Sequence, residues 1–316
     1  MAYVKIVKNN MNKIFLVSLI IIVGLGGLLF LNNSTKINSS SNGKLQVTTS
    51  FYPMYFFASL IGGDKANVFN ITPAASEPHD YEPTTQDIAR ISRSNMLILN
   101  GGKLEAWGDK IKDQLQGTNV VIVTAGDGLA NKQINENGQM IQDPHVWQNP
   151  LLAKKEVEAI EKGFEKINPK DASYFQANAK KLEGELDQLD VEFKQGLASC
   201  QKKDFVTSHA AFGYLAAQYG INQVAISGVS PDEEPSSQKL AEITDLVKKE
   251  NIKIIFFESL VSPKLSLTIA QETGATAMVL DPIEGISDDN LKAGKNYLTV
   301  MRDNLSNLQI ALQCSK

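Results

Sequence analysis

From residue 44 onward, short apolar runs alternate with stretches in which apolar positions recur every three or four residues. Residues 45–50, 68–71, 96–100 and 120–124 read as short buried strands, with helical patterns over about 53–62 and 104–115. Such alternation predicts parallel crossovers, because parallel strands cannot be joined by a tight turn. The rhythm returns late in the chain. Strands are expected at 204–208, 223–226, 252–257 and 276–280, with helices ending at Tyr219, running from Pro235-Ser236 to about Glu250, and spanning 263–273. Gly220 and Gly274 act as helix stops, and a final helix is expected over about 289–312.

Between the two halves lies the longest helical pattern, about 171–198, with Leu182, Leu186, Leu189, Phe193 and Leu197 at steps of four and three. At 1.5 Å per residue it would be roughly 40 Å long. It lacks the charge pairing of a coiled-coil seam and reads as a stiff connector. Asn149 and Pro150 open the preceding helix, which runs to about Ile167, and Asn168-Pro169 breaks it. Thr84 and Asp87 have capping-box spacing. Residues 125–143 read as a long polar loop. The fold class is therefore α/β: two parallel-sheet lobes, 44–168 and 202–316, joined by one long rigid helix within 169–201.

Residues 1–43 differ in kind. Lys5, Lys8 and Lys13 precede an apolar run over 14–31, and the segment has no acidic residue. This is an export signal or membrane anchor, with the remainder of the chain outside the cytoplasm. No small-x-small site ends the run and no Cys lies near it, so an uncleaved anchor with a polar spacer over 32–43 is the expectation. Without the segment's four lysines the rest holds 27 basic against 35 acidic residues, a net charge of −8, which argues against nucleic acid as a partner. Cys200 and Cys314 are the only cysteines. In an oxidising compartment they form one disulfide or remain two buried thiols, and both readings stand.

Only three histidines occur in 316 residues: His79, His145 and His209. Each sits in a loop or at a strand end beside Pro, Ser or Asp, and Asp281 follows a strand in the same manner. A lone loop histidine is ordinarily a solvated residue, and chemistry alone leaves that reading level with a metal site. Three imidazoles and a carboxylate, two from each lobe, would suit zinc or another first-row metal in the interlobe cleft. Glu258, at the end of a strand, is either a partner behind a ligand, an alternative ligand, or a surface carboxylate. No HExxH, nucleophile elbow, Walker loop or strand-borne GxGxxG occurs.

The stretches Ser76-Glu77-Pro78-His79-Asp80-Tyr81-Glu82-Pro83-Thr84, Asp143-Pro144-His145-Val146-Trp147, Ser208-His209-Ala210-Ala211-Phe212-Gly213-Tyr214 and Glu258-Ser259-Leu260-Val261-Ser262-Pro263-Lys264 occur in that order, completed by Leu280-Asp281-Pro282. Together they resemble the zinc and manganese solute-binding proteins of ABC transporters (ZnuA-like, cluster A-I), from about residue 45 to the C-terminus. The resemblance implies two lobes on a rigid helix, one transition-metal ion between them, and His79, His145, His209 and Asp281 as its ligands. In that family a His at the third position is usual for zinc, whereas many manganese binders carry Glu. His209 thus points to Zn²⁺, with Mn²⁺ or iron as the alternative. The chain departs from the family pattern in two places: the 125–143 loop has no His, and no Cys stands at the lipid site.

The function so implied is a monomeric, membrane-anchored extracytoplasmic receptor, not an enzyme, that hands its metal to an ABC-type permease. A zinc hydrolase is the competing class and would need Glu258 or Glu77 as a general base. A surface adhesin with a structural metal is the third. Ligation needs neutral imidazoles, so affinity is expected to fall as pH drops through about 6.5. The rigid connector predicts modest closure around the ion.

Overall fold

The computed structural model describes residues 43–315 except Ala75 and Asn137. The apolar run read as an anchor lies outside the described residues. Among the described residues, no helix is long and apolar enough to cross a membrane.

The first lobe is built from β1 (Leu45–Thr49), α1 (Tyr52–Gly62), β2 (Ala66–Asn70), α2 (Thr85–Ile91), β3 (Met96–Leu99), α3 (Gly108–Gln114) and β4 (Val121–Thr124). Its strands are all parallel in the order β2-β1-β3-β4, and all four residues of β3 are buried, as a central strand covered on both faces requires. The 125–143 stretch is not wholly irregular. Within it β5 (Gln133–Glu136) and β6 (Gln139–Gln142) pair antiparallel as a separate hairpin, with Ile134 opposite Ile141. The helix α4 (Pro150–Ile167) then starts as its cap residues dictate, with Asn149 Oδ1 accepting the Leu151 N–H at 2.9 Å.

The connector α5 (Ala172–Leu197) has 26 residues. It buries Phe175, Ala179, Leu182, Leu186, Leu189, Phe193 and Leu197 along one side. The second lobe follows as β7 (Asp204–Thr207), α6 (Gly213–Tyr219), β8 (Asn222–Ala225), α7 (Ser237–Lys249), β9 (Ile254–Phe257), α8 (Lys264–Thr273) and β10 (Thr276–Val279). Its sheet, β10-β9-β7-β8, is parallel throughout and, read from β8, repeats the strand order of the first lobe. In each sheet the order reverses between the first and third strands, so the crevice that takes ligands opens beyond β1 and β3 in one lobe and beyond β7 and β9 in the other.

The expected single last helix is two, α9 (Asp288–Lys292) and α10 (Tyr297–Ala311). Gly294, at φ +80°, ends the first turn of chain, and Asn296 restarts the helix by a reciprocal cap with Thr299. Cys200 and Cys314 are bonded, which settles the open pairing. One continuous apolar core runs from Val47 and Phe57 through Trp147, Leu186 and Phe193 to Phe205, Phe256 and Tyr297. The lobes thus share an interior along α5 and are not separate bodies on a soft linker.

Candidate metal centre

Each histidine is delivered by a loop that its neighbours hold rigid. The His79 loop leads into α2, where Thr84 Oγ1 accepts the Asp87 N–H and Asp87 Oδ2 accepts the Thr84 N–H at 2.8 Å and the Tyr81 hydroxyl at 2.7 Å. His145 precedes a short 3-10 turn, Val146–Gln148, leading to α4. Trp147 Nε1 donates to the Pro282 carbonyl of the other lobe at 2.8 Å. His209 lies two residues past the end of β7, and Glu258 follows β9, so both stand at the crevice of the second sheet.

The three imidazoles meet. His145 Nε2 lies 3.2 Å from His79 Nε2 and 3.3 Å from His209 Nε2. The fourth member is Glu284, whose Oε1 lies 3.4, 3.1 and 3.3 Å from Nε2 of His79, His145 and His209 respectively. All four donor atoms fall within 4.8 Å of one another, and these four side chains could hold a metal ion. A regular tetrahedron with edges of about 3.3 Å has its centre roughly 2.0 Å from each corner, the length of zinc-nitrogen and zinc-carboxylate bonds. The side chains of His145 and His209 are fully buried, and His79 retains 8% exposure, which makes it the solvent-facing edge of the cage.

Two of the rings are aimed from behind. His145 Nδ1 lies 2.8 Å from Asp143 Oδ1, and His209 Nδ1 lies 2.7 Å from Glu258 Oε1. A carboxylate at Nδ1 fixes that nitrogen as the donor and leaves the Nε2 lone pair facing the cage. The same carboxylates accept the backbone N–H of the histidine they aim, at 3.0 and 3.2 Å. Glu258 therefore sits as a partner behind His209, one of the positions open to it from sequence. Glu77 Oε1 accepts the His79 N–H at 3.2 Å, and burial together with the Glu284 charge pushes the Glu77 carboxyl up to about 9.

The electrostatics are those of a proton-holding cage. Burial works against a charged His209, but the Glu258 and Glu284 carboxylates outweigh it and hold the ring well above its ordinary value. His145 is raised in the same manner by Asp143 and Glu284 against its own burial, while burial lowers His79. Burial alone would push Glu284 up, yet the three imidazoles hold it well below the carboxylate range. One carboxylate facing three rings attracts a cation, whether a proton or a metal ion.

The structure places Asp281 outside this group, with Glu284 in the fourth position of the cluster. Its Oδ1 accepts the Ile283 N–H at 2.7 Å, and its Oδ2 accepts the Ser259 hydroxyl. Its backbone is clamped by Asn304, whose Oδ1 accepts the Asp281 N–H at 2.9 Å and whose Nδ2 donates to the Asp281 carbonyl at 2.7 Å. Burial pushes its carboxyl up to about 6. With both oxygens engaged, Asp281 shapes the turn that presents Glu284. Sequence reasoning stopped at the strand end and missed Glu284, whose only visible signal was an acid in the Pro/Gly-bounded segment Pro282-Ile283-Glu284-Gly285.

Two α/β sheets of the same strand order, joined by one long helix and with a four-donor cage built from both, define a two-lobed metal-binding protein. The chain belongs to the family described as zinc-uptake complex component A, periplasmic, whose model matches residues 47–311. It is 38% identical over 293 residues to the high-affinity zinc uptake system protein ZnuA of Bacillus subtilis (strain 168), covering 89% of this chain and 92% of that one. It is also 38% identical over 290 residues to the zinc-binding protein AdcA of Streptococcus pyogenes serotype M1, covering 85% of this chain but 56% of that protein, so it spans little more than half of that relative's length. Among solved structures it is similar to the Zn(II)-bound ZnuA-like domain of Streptococcus pneumoniae AdcA, with a TM-score of 0.74, 39% identity, and coverage of 85% of this chain and 99% of that one.

Proposed function

We propose that this chain is an exported receptor that captures Zn²⁺ and delivers it to an ABC-type import permease, with His79, His145, His209 and Glu284 as the ligands. The observation that carries the reading is the cage itself: three Nε2 atoms and one carboxylate oxygen within 4.8 Å of one another, five of their six separations being 3.1–3.4 Å. Its size and its nitrogen-rich donor set favour zinc over the harder manganese ion. Both the B. subtilis and the S. pyogenes relatives are zinc proteins by name. The apolar segment 14–31 serves as the route of export and the tether to the membrane. A receptor must release its cargo, and a cage open to solvent only at the edge of one ligand suits uptake and hand-over better than turnover. A hydrolase would need a free base, whereas Glu258 is committed to His209.

The test is a calorimetric competition of Zn²⁺ against Mn²⁺ on the metal-free chain, repeated with His209→Ala. The reading requires one tight zinc site that manganese does not displace and that the substitution weakens. Equal or tighter manganese binding removes the zinc assignment, and an unaffected His209→Ala chain removes the ligand set.

A further inference from the structure

Hydrogen bonds tie the hairpin β5–β6 to the second lobe near its base and at its far end. Among the described residues, two hydrogen bonds link residues 132–142 to the second lobe. At its base the Lys132 N–H donates to the Tyr214 hydroxyl at 3.0 Å, and that hydroxyl donates to the Asp143 carbonyl at 3.1 Å. At its far end Glu136 Oε1 accepts the Val229 N–H. Between these ties a groove of ≈ 960 Å³ separates β5 from β8, the edge strand of the second sheet. The hairpin is thus a strap laid across an open groove.

Both ties end near residues that flank the metal cage. The basal tie reaches Asp143, whose Oδ1 aims His145. The distal tie reaches the Gly228-Val229 segment, and the Gly228 carbonyl accepts the Ala210 N–H at 2.8 Å, one residue after His209. The strap therefore ends beside the segment that carries His145 in one lobe and beside the segment that follows His209 in the other. Its far anchor is close-fitting. A Cβ on Gly228 would collide with the carboxylates of both Glu136 and Glu233. Those two carboxylates face each other, and Glu136 stays against its neighbour's like charge because it holds the Val229 N–H.

We propose that Glu136 is a positioning residue for cargo retention: by accepting the Val229 N–H it latches the 132–142 strap to the second lobe and slows the escape of the bound ion. This deepens the zinc-receptor reading and rests on it. Glu136 touches none of the four cage residues, so its loss acts on the rate of release and leaves capture alone. The amide of Glu136→Gln preserves the accepting oxygen and removes the like charge facing Glu233, so that variant keeps the latch.

Release of Zn²⁺ from the full-length chain into excess chromogenic chelator is followed by stopped flow, with association measured separately. Glu136→Ala and Gly228→Ala should each release zinc about tenfold faster at an unchanged association rate, the order that losing one charge-assisted hydrogen bond supports. Glu136→Gln should release at the wild-type rate or more slowly. Wild-type release from Glu136→Ala overturns the proposal, as does equally fast release from Glu136→Gln. If Glu136→Ala lowers the thermal midpoint of the metal-free chain, Gly228→Ala, which leaves the strap's own sequence intact, decides between latch and passive loop by the same rate. A wild-type chain without a tight zinc site defeats the receptor reading itself, an outcome separate from any difference among the variants.

Discussion

Asp281 Oδ1 accepts the backbone N–H of Ile283, and that bond stands one residue before the carboxylate facing the three imidazoles. Ile283 is held at φ +61°, a conformation that β-branched residues rarely adopt. Asp side chains that bond the N–H two residues on stabilise such turns. Trp147 also reaches across to the Pro282 carbonyl, so the turn is fixed from both lobes. Asp281 and Glu284 consequently do different work three residues apart: one sets the turn, the other faces the cage.

This division separates two substitutions. Glu284→Ala should weaken zinc binding by more than about 100-fold while leaving the metal-free fold nearly as stable, since losing a ligand exceeds the usual 10–100-fold cost of losing the partner behind one. Asp281→Ala leaves a buried N–H and a hydroxyl unpaired, and should destabilise the chain by about 1–3 kcal/mol. Calorimetric titration with a denaturation midpoint for each variant checks both. If Asp281→Ala abolishes binding at full stability and Glu284→Ala binds normally, the fourth position belongs to Asp281 after all.

The partners behind the rings carry a second prediction. Asp143→Ala and Glu258→Ala each strip the acceptor from a buried Nδ1–H and free the ring to turn or change tautomer. Zinc affinity should fall by about 10–100-fold in each variant. His79 has no carboxylate at its Nδ1 among the described contacts, so no equivalent single substitution is expected for it. Chelator competition gives the ratio directly, and wild-type affinity in both variants would refute the aiming role.

How much of this was legible in the sequence depends on the kind of signal. The strands and long helix were readable because apolar spacing reports burial directly, and the three histidines stood out by rarity. Glu284 was not readable. One acid among 35 carries no local mark, and its role depends on a turn built by Asp281, Ile283 and a tryptophan 135 residues away. The β5–β6 hairpin was missed because its strands are rich in Gln and Asn, which pattern reading scores as loop. Its one local cue was the Asn137-Gly138 dipeptide, a favoured hairpin turn sequence. The split of the last helix was likewise marked by Gly294 and by the Asn296–Thr299 spacing, cues overridden by the apolar periodicity on either side.

A pH prediction arises away from the cage. Glu156 is fully buried in the first lobe, and neither of its carboxylate oxygens has a hydrogen-bond partner. Burial, and then the Glu105 charge, raises its carboxyl well above the ordinary value, so it stays protonated in the folded chain. Below the unfolded value near 4.5 both states hold the proton and ionisation adds no cost to folding. As pH rises, the unfolded chain gains by ionising and the folded one does not, a loss of about 1.4 kcal/mol per pH unit until the folded value is reached. Glu156→Gln cannot ionise in either state. Relative to wild type, its thermal midpoint should therefore improve as pH rises from 5 toward neutrality. A difference that stays constant across that range would mean that Glu156 ionises inside the fold.

The connector makes the last prediction. A hinge that swings wide needs lobes whose interiors end before the linker, as separate domains do. Here α5 buries one side along its length in a core that also contains β1 of the first lobe and β7 of the second, and Arg302 of α10 pairs with its Glu192 at 2.8 Å. Opening such a joint would expose Leu186, Leu189 and Phe193, which are fully buried. Fully burying each such side chain contributes about 1.5–3 kcal/mol. Capture should then proceed through small shifts at the cage, and release through these and the 132–142 strap, with α5 and both sheets unmoved. X-ray scattering of metal-free and zinc-loaded chains should show radii of gyration within about 1 Å of each other, as for partners that bind with little backbone movement. Hydrogen exchange should change at residues 76–82 and 132–142 and not along α5. A contraction of several ångströms on loading would show that the shared core parts, and the rigid-connector account would fail with it.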